Sequence, residues 1–255
     1  MAGDPYATIA PVYEWLLPES VLTPEGCVAA FREPIGKLSD GARVLDCACG
    51  IGQLAVGLAL EGFRVTATDA SPAMVKRTRA LAADRGVDIA TAACAWEELP
   101  GHGWSEAFDA AFCVGNSLTH APGRDARRQA LRQMAAVLRS GGLLVVTSRN
   151  WELVRERGPG LSIVEELVER AGALAIVTHA WTIASGADDP CTLDVAVAIV
   201  GEPPEVGRRA ARLVCWPFAR AQLEGDLRAA GLEPTDSTYS ATAERYSICA
   251  RRQAR

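Results

Sequence analysis

Long apolar runs are missing from this 255-residue chain, so no helix able to cross a bilayer is expected. The opening stretch MAGDPYATIA lacks the basic start and apolar core of a secretory signal, which suits a cytoplasmic protein. No run of lysine and arginine marks a nucleic-acid stripe, and the net charge of −5 points away from one. Arg127, Arg128, Arg132 and Arg139 are spread along one predicted helix and read as a solvated face. The eight cysteines lack metal-ligand spacing, and no cluster of acids and histidines accompanies the strand ends. No metal is expected. Most of the cysteines read as small buried hydrophobes, with Cys47 and Cys49 on the same side of an extended segment. Aromatic residues make up only 6% of the chain, and repeats and low-complexity tracts are absent.

What is present is Ala, Val, Leu and Gly in an alternating rhythm. Residues 42–47, 63–69, 87–93, 108–114 and 142–148 are short, apolar and rich in strand formers. Gln53 to Glu61, Pro72 to Asp84 and Arg124 to Leu138 carry helical periodicity between them. Ser71 followed by Pro72 predicts a capped helix start, and the glycines of RSGGLL predict a helix stop before the fifth strand. Strands joined by helices predict a doubly wound, mostly parallel α/β sheet of Rossmann-like type. After Arg149 the pattern changes. Residues 173–183, 191–202 and 208–218 predict an antiparallel meander, with 201–207 only a turn. Residues 161–172 are helical by local propensity, and 220–232 predict an amphipathic helix stopped at Gly231. Residues 236–242 and 246–252 predict two closing strands.

The stretch VLDCACGIGQLAVGL (44–58) sets Asp46, Ala48, Gly50 and Gly52 between a buried strand and a buried helix. In a doubly wound sheet, ligands bind beyond the carboxyl ends of the strands, where this stretch falls. Glycine there removes the Cβ atoms that block a ligand, and the next helix offers free N–H groups. The spacing D-x-A-x-G-x-G is not the dinucleotide fingerprint G-x-G-x-x-G. Asp69 closes the second strand and can accept from both hydroxyls of a ribose, or simply cap the helix after it. A nucleoside-containing ligand fits both signals.

Residues 40–150 resemble the nucleotide-binding half of class I S-adenosylmethionine-dependent methyltransferases. The match rests on the segment from Asp46 to Val75 and on ACAWEEL (93–99). That resemblance implies S-adenosylmethionine as cofactor, with Asp46, Ala48, Gly50, Gly52, Asp69, Ala70 and Met74 around it. It also implies adenine bonded by the backbone of Ala95, packed by Trp96 and flanked by Val114; Trp96 reads equally as core. CVGNSLTHAPG (113–123) and TSRNW (147–151) are similar to the glycine and sarcosine N-methyltransferase group. By that resemblance Asn116 faces an amine substrate and Arg149 holds its carboxylate, with His120 and Tyr13 as further catalytic candidates. A guanidinium can grip a carboxylate bidentately. Ser148 and Trp151 depart from the histidine and tyrosine of that group, and the N-terminal segment supplies no matching arginine.

The family pattern implies seven strands in the main sheet, with the meander inserted after the fifth. It divides the chain into an N-terminal helical cap (1–40), a cofactor domain (41–150), a substrate-selecting insert (151–217) and a closing helix with two strands (218–255). The implied activity is transfer of a methyl group to a small molecule, foremost N-methylation of a compact acid-bearing amine. O- or C-methylation of a secondary metabolite competes with it, as does cofactor binding without catalysis. A nicotinamide oxidoreductase lacks the required fingerprint. Neither nucleic acid nor membrane is expected as a partner, and a homo-oligomer is compatible with the sequence.

Overall fold

A computed structural model of the chain describes residues 4–186, 189–201, 203 and 207–254. The N-terminal part forms short helices α1 (Pro5–Ile9), α2 (Pro24–Ala29) and α3 (Arg32–Ile35), with a 3-10 segment at Ala10–Leu16. The alternating part that follows gives β1 (Arg43–Asp46), α4 (Gln53–Leu60), β2 (Arg64–Asp69), α5 (Pro72–Asp84) and β3 (Ala90–Ala93). It continues with β4 (Phe108–Cys113), α6 (Gly123–Val137), β5 (Leu138–Arg149) and α7 (Trp151–Glu156). A meander of β6 (Gly160–Arg170), β7 (Ala173–Ile183), β8 (Cys191–Ile199) and β9 (Arg208–Cys215) leads into α8 (Arg220–Ala229). The chain closes with β10 (Leu232–Ser237) and β11 (Arg245–Arg252).

Seven strands form the main sheet in the order β10-β11-β5-β4-β1-β2-β3. β1 to β5 run parallel, and β11 pairs antiparallel with both β5 and β10. The expected fold is present. β1 is an interior strand, between β4 and β2, and Val44, Leu45 and Asp46 are all buried, as a parallel strand covered on both faces requires. Apolar clusters cover the two faces: Leu45, Phe108 and Leu144 under α6 and α8, and Val44, Phe112 and Val145 under α2 and α4. The meander is a separate four-stranded antiparallel sheet. Its inner face, with Val177, Val195 and Leu213, packs on Ile9, Val12 and Trp15 of the N-terminal segment.

Several local expectations are corrected. Residues 160–170 are a strand, because eleven consecutive pairs with β7 outweigh the helical propensity of EELVER. The RSGG stop lies inside β5, where the register with β4 shifts between Phe108 and Ala110. The strand expected at 236–242 lies at Leu232–Ser237, and the short helix α7 was not foreseen. Within the turn expected at 201–207, residues 202 and 204–206 lie outside the described residues. Cys47 and Cys49 face opposite clusters, since the chain turns after β1 instead of continuing extended. Nor is α6 a wholly solvated face. Arg127 is buried and, with Arg124 and Arg128, surrounds the fully buried Asp226 of α8 at 2.7–3.1 Å. A buried carboxylate needs such partners. Arg139 lies on β5 and pairs with Asp109.

Candidate active site

At the carboxyl end of β1 the chain turns through Cys47 to Gly52, held by the Cys47 N–H donating to the Phe112 carbonyl and the Cys49 N–H donating to that of Thr68, both at 2.9 Å. Asp46 precedes this turn and is 1% exposed, yet its carboxylate oxygens have no hydrogen-bond partner. Burial and the neighbouring Asp69 push its pKa up to about 7, against the pull of the nearby Ala48 and Ala55 backbone. An orphaned buried acid of this kind is matched to a cation that the chain itself does not supply.

Gly50 and Gly52 serve different ends. Gly52 has φ +92°, and a Cβ there would lie 2.9 Å from Thr78 Cγ2, so this glycine seats the turn on α5. At Gly50, φ +53°, a Cβ would meet only Tyr13, at 3.9 Å, so its surroundings are open. The Gly50 N–H donates to Asp69 Oδ2 at 2.9 Å and the Ser71 N–H to Oδ1 at 2.9 Å. Asp69 is thereby fixed in orientation, and each oxygen keeps acceptor capacity. Ser71 caps α5 at Met74 and also donates to Asp4 at 2.5 Å. Ala70 is exposed beside it, while Met74 is buried with Ala10 and Ile51 beneath the N-terminal segment. Arg77 of α5 clamps that segment, donating to the carbonyls of Ala10 and Pro11 and to Glu14.

The segment after β3 is tied to the same turn. Trp96 Nε1 donates to the Cys47 carbonyl at 2.6 Å, and the ring packs on the apolar cluster under α6. The Ala95 N–H donates to Glu98 Oε2 at 2.8 Å. Val114 directly follows β4, its carbonyl accepting from Ser117 Oγ at 2.6 Å.

Beyond β4 and β5 lies a second group. Asn116 has φ +67°, and its Oδ1 accepts from the Arg149 backbone N–H at 3.0 Å while Nδ2 donates to Thr119 at 3.2 Å. The two residues of the G-N-S and S-R-N segments are thus directly bonded. The Arg149 guanidinium sits 4.9 Å from the Trp181 ring centre, and no ion pair engages it among the described residues. Burial, then the adjacent Arg245, lower its basicity. His120 Nδ1 lies 2.9 Å from the Val214 carbonyl, which can only accept, so Nδ1 carries the proton. Its Nε2 then accepts from the Tyr6 hydroxyl at 2.8 Å. Burial holds the pKa of His120 below its ordinary range and raises that of the Tyr13 hydroxyl to about 12, Asp69 adding to the latter.

Four participants were not singled out from sequence: Tyr6 as a partner of His120, Arg245 opposite Arg149, Trp181 behind Arg149, and His179, whose basicity burial lowers with help from the charges of both arginines. Trp181 and His179 come from the meander, whose place over the sheet no local pattern reveals.

Comparison with known proteins adds to this geometry. A family pattern described as "Methyltransferase domain" matches residues 44–142. The chain is 30% identical to human glycine N-methyltransferase over 246 residues, covering 89% of this chain and 76% of the relative. The chain belongs to the class I S-adenosylmethionine-dependent methyltransferases. S-adenosylmethionine is the cofactor of this enzyme. Glycine/sarcosine N-methyltransferase from Parasynechococcus marenigrum is 40% identical over 119 residues, which is 46% of this chain and 42% of that protein. In fold, the methyltransferase resembles CcbJ from Streptomyces caelestis, with a TM-score of 0.77 at 22% identity over 99% of this chain and 100% of that one. No helix among the described residues is long and apolar enough to cross a membrane.

Proposed function

We propose that this methyltransferase methylates the nitrogen of a small acid-bearing amine, an amino acid foremost. The observation that carries the reading is the Arg149 guanidinium, set against Trp181 with no acidic partner among the described residues and with its backbone fixed by Asn116. A cation desolvated in this way gains most from a carboxylate that arrives with the substrate. The names of the glycine and sarcosine N-methyltransferase relatives support the same substrate class.

In this reading the cofactor lies along Asp46, Ala48, Gly50 and Gly52, then Asp69, Ala70 and Met74, with its base near Ala95, Trp96 and Val114. These residues fit it: the unpartnered Asp46 suits its cationic amino-acid end, and Asp69 retains acceptor capacity for ribose hydroxyls. Bound S-adenosylmethionine supplies an electrophilic sulfonium methyl group. The chain's residues then have to orient the acceptor and exclude water, effects worth up to about 7–11 kcal/mol in ideal cases.

An attacking amine must be neutral. The Tyr6 oxygen can accept a proton from the acceptor's ammonium while its own O–H passes one to His120 Nε2, which burial keeps unprotonated. Tyr13 packs against Tyr6, with ring centres 6.2 Å apart, and narrows the space above Gly50. In this reading the N-terminal segment from Asp4 to Asp40 covers the cofactor, and the meander walls the acceptor through Trp181 and His179. A screen of amino acids, neutral amines and phenols with methyl-labelled cofactor, read by mass, tests the assignment. Label on the nitrogen of amino acids supports it; label only on phenols or neutral amines refutes it.

A further inference from the structure

Most of the exposed large hydrophobic side chains among the described residues lie on the outer face of the meander. On β6, Leu161 and Leu167 are 66% and 67% exposed and Ile163 is 57% exposed; Leu174 and Ile176 of β7 continue the patch. The pairing register places all five on one face, since Leu161, Ile163 and Leu167 lie opposite Thr182, Ala180 and Ile176. Monomeric proteins seldom leave so continuous an apolar patch open.

The same face holds a complementary hollow. Thr178, Ala180, Ala196 and Ala210, with the Asp194–Arg212 ion pair beside them, line a shallow trough of about 460 Å³ across β7, β8 and β9. One side of the face is therefore a ridge of large side chains and the other a floor of small ones. Charge divides in part the same way: Glu165 and Glu169 stand on β6 and Arg208 and Arg212 on β9, with Arg212 already paired to Asp194 of β8 at 2.7 Å.

We infer that two copies of the chain dimerise face to face through these sheets. A two-fold axis along the strands lays β6 of each copy over β9 of its partner. By the pairing register Leu161 then faces Val214, Ile163 and Leu167 lie on the aliphatic stems of Arg212 and Arg208, and Glu165 falls between those two arginines. Such a contact is self-complementary and closed, as a two-fold interface requires. Four strands of roughly nine residues give about 550 Å² per copy, or about 1,100 Å² in total, enough for a specific interface. Edge-to-edge pairing of two β6 strands is disfavoured, because Glu165 and Glu166 occupy the middle of that edge and would face their own copies. The inference does not depend on the proposed substrate.

Sedimentation velocity at micromolar loading tests it. The wild-type enzyme is expected to be a dimer. The double variant Ile163→Glu, Leu167→Glu is expected to dissociate at least about a hundredfold more readily, with circular dichroism and cofactor affinity unchanged. Glu165→Arg should weaken the dimer and Arg208→Glu added to it should restore it. A monomeric wild type, whether or not it adheres to lipid vesicles or other proteins, overturns the inference. So does a dimer that survives the double variant.

Discussion

Arg149 and Arg245 stand directly opposite each other on β5 and β11, two like charges on one sheet face. Directly opposed cations on antiparallel strands repel. Burial and Arg245 together lower the basicity of Arg149, and the nearby Glu244 is already engaged with Arg157. The arrangement is poised for an anion brought in from outside.

Arg149→Ala is therefore expected to raise KM for an amino-acid acceptor about 10- to 100-fold, the loss of a charge-assisted hydrogen-bond pair. Calorimetry should find cofactor affinity unchanged. Arg245→Ala should raise KM by less, while thermal melting of the unliganded enzyme moves up slightly as the repulsion is relieved.

Cofactor binding is expected to tighten as pH rises towards about 7 and to level off above it. Asp46 is raised to about 7 in the folded protein against an ordinary value near 4, so it must give up a proton to face a cation. Between those values the folded state holds the extra proton, and the stability this contributes is lost as pH rises through 7. Calorimetry in buffers of different ionisation heat should detect proton release near pH 6. Asp46→Asn should abolish the release and weaken binding.

Tyr6→Phe keeps the ring but removes the hydroxyl that donates to His120. kcat should fall about 100-fold, the usual size of a general-base contribution, with cofactor affinity within about twofold of wild type. His120→Phe should lower kcat to the same level, and the double variant should lose little more, since both act through one hydrogen bond.

The two turn glycines should separate by phenotype. Gly52→Ala places a Cβ against the Thr78 backbone and side chain at a strongly left-handed φ, so a loss of about 2 kcal/mol in urea unfolding is expected. Gly50→Ala meets nothing but Tyr13 and should cost less stability, yet weaken cofactor binding more.

The five parallel strands were legible because each carries its own apolar signature, and because Ser71 and Gly52 mark helix starts locally, whereas β10, LEPTDS, carries none and lies four residues before its expected start. The cofactor limb was legible for a related reason: Asp46, the glycines and Asp69 follow two consecutive strands, whose ends a parallel sheet must bring together. The acceptor limb was only half legible. Arg149 stood out as a cation ending an apolar strand, but Arg245 joins it through antiparallel pairing with a strand nearly a hundred residues later. Arg127 misled for the opposite reason: its partner Asp226 lies on another helix, so a buried ion network looked like a polar surface. β6 misled because propensity sees neighbours along the chain, whereas its strand state comes from β7.

The most direct measurement compares an amino acid with its own carboxamide as acceptor, in wild-type enzyme and in Arg149→Ala. The expected result is a kcat/KM at least about tenfold higher for the acid in wild type, with that preference gone in the variant. Equal use of acid and amide by the wild type, or a preference that survives removal of the guanidinium, would contradict the assignment of Arg149 as the carboxylate's partner.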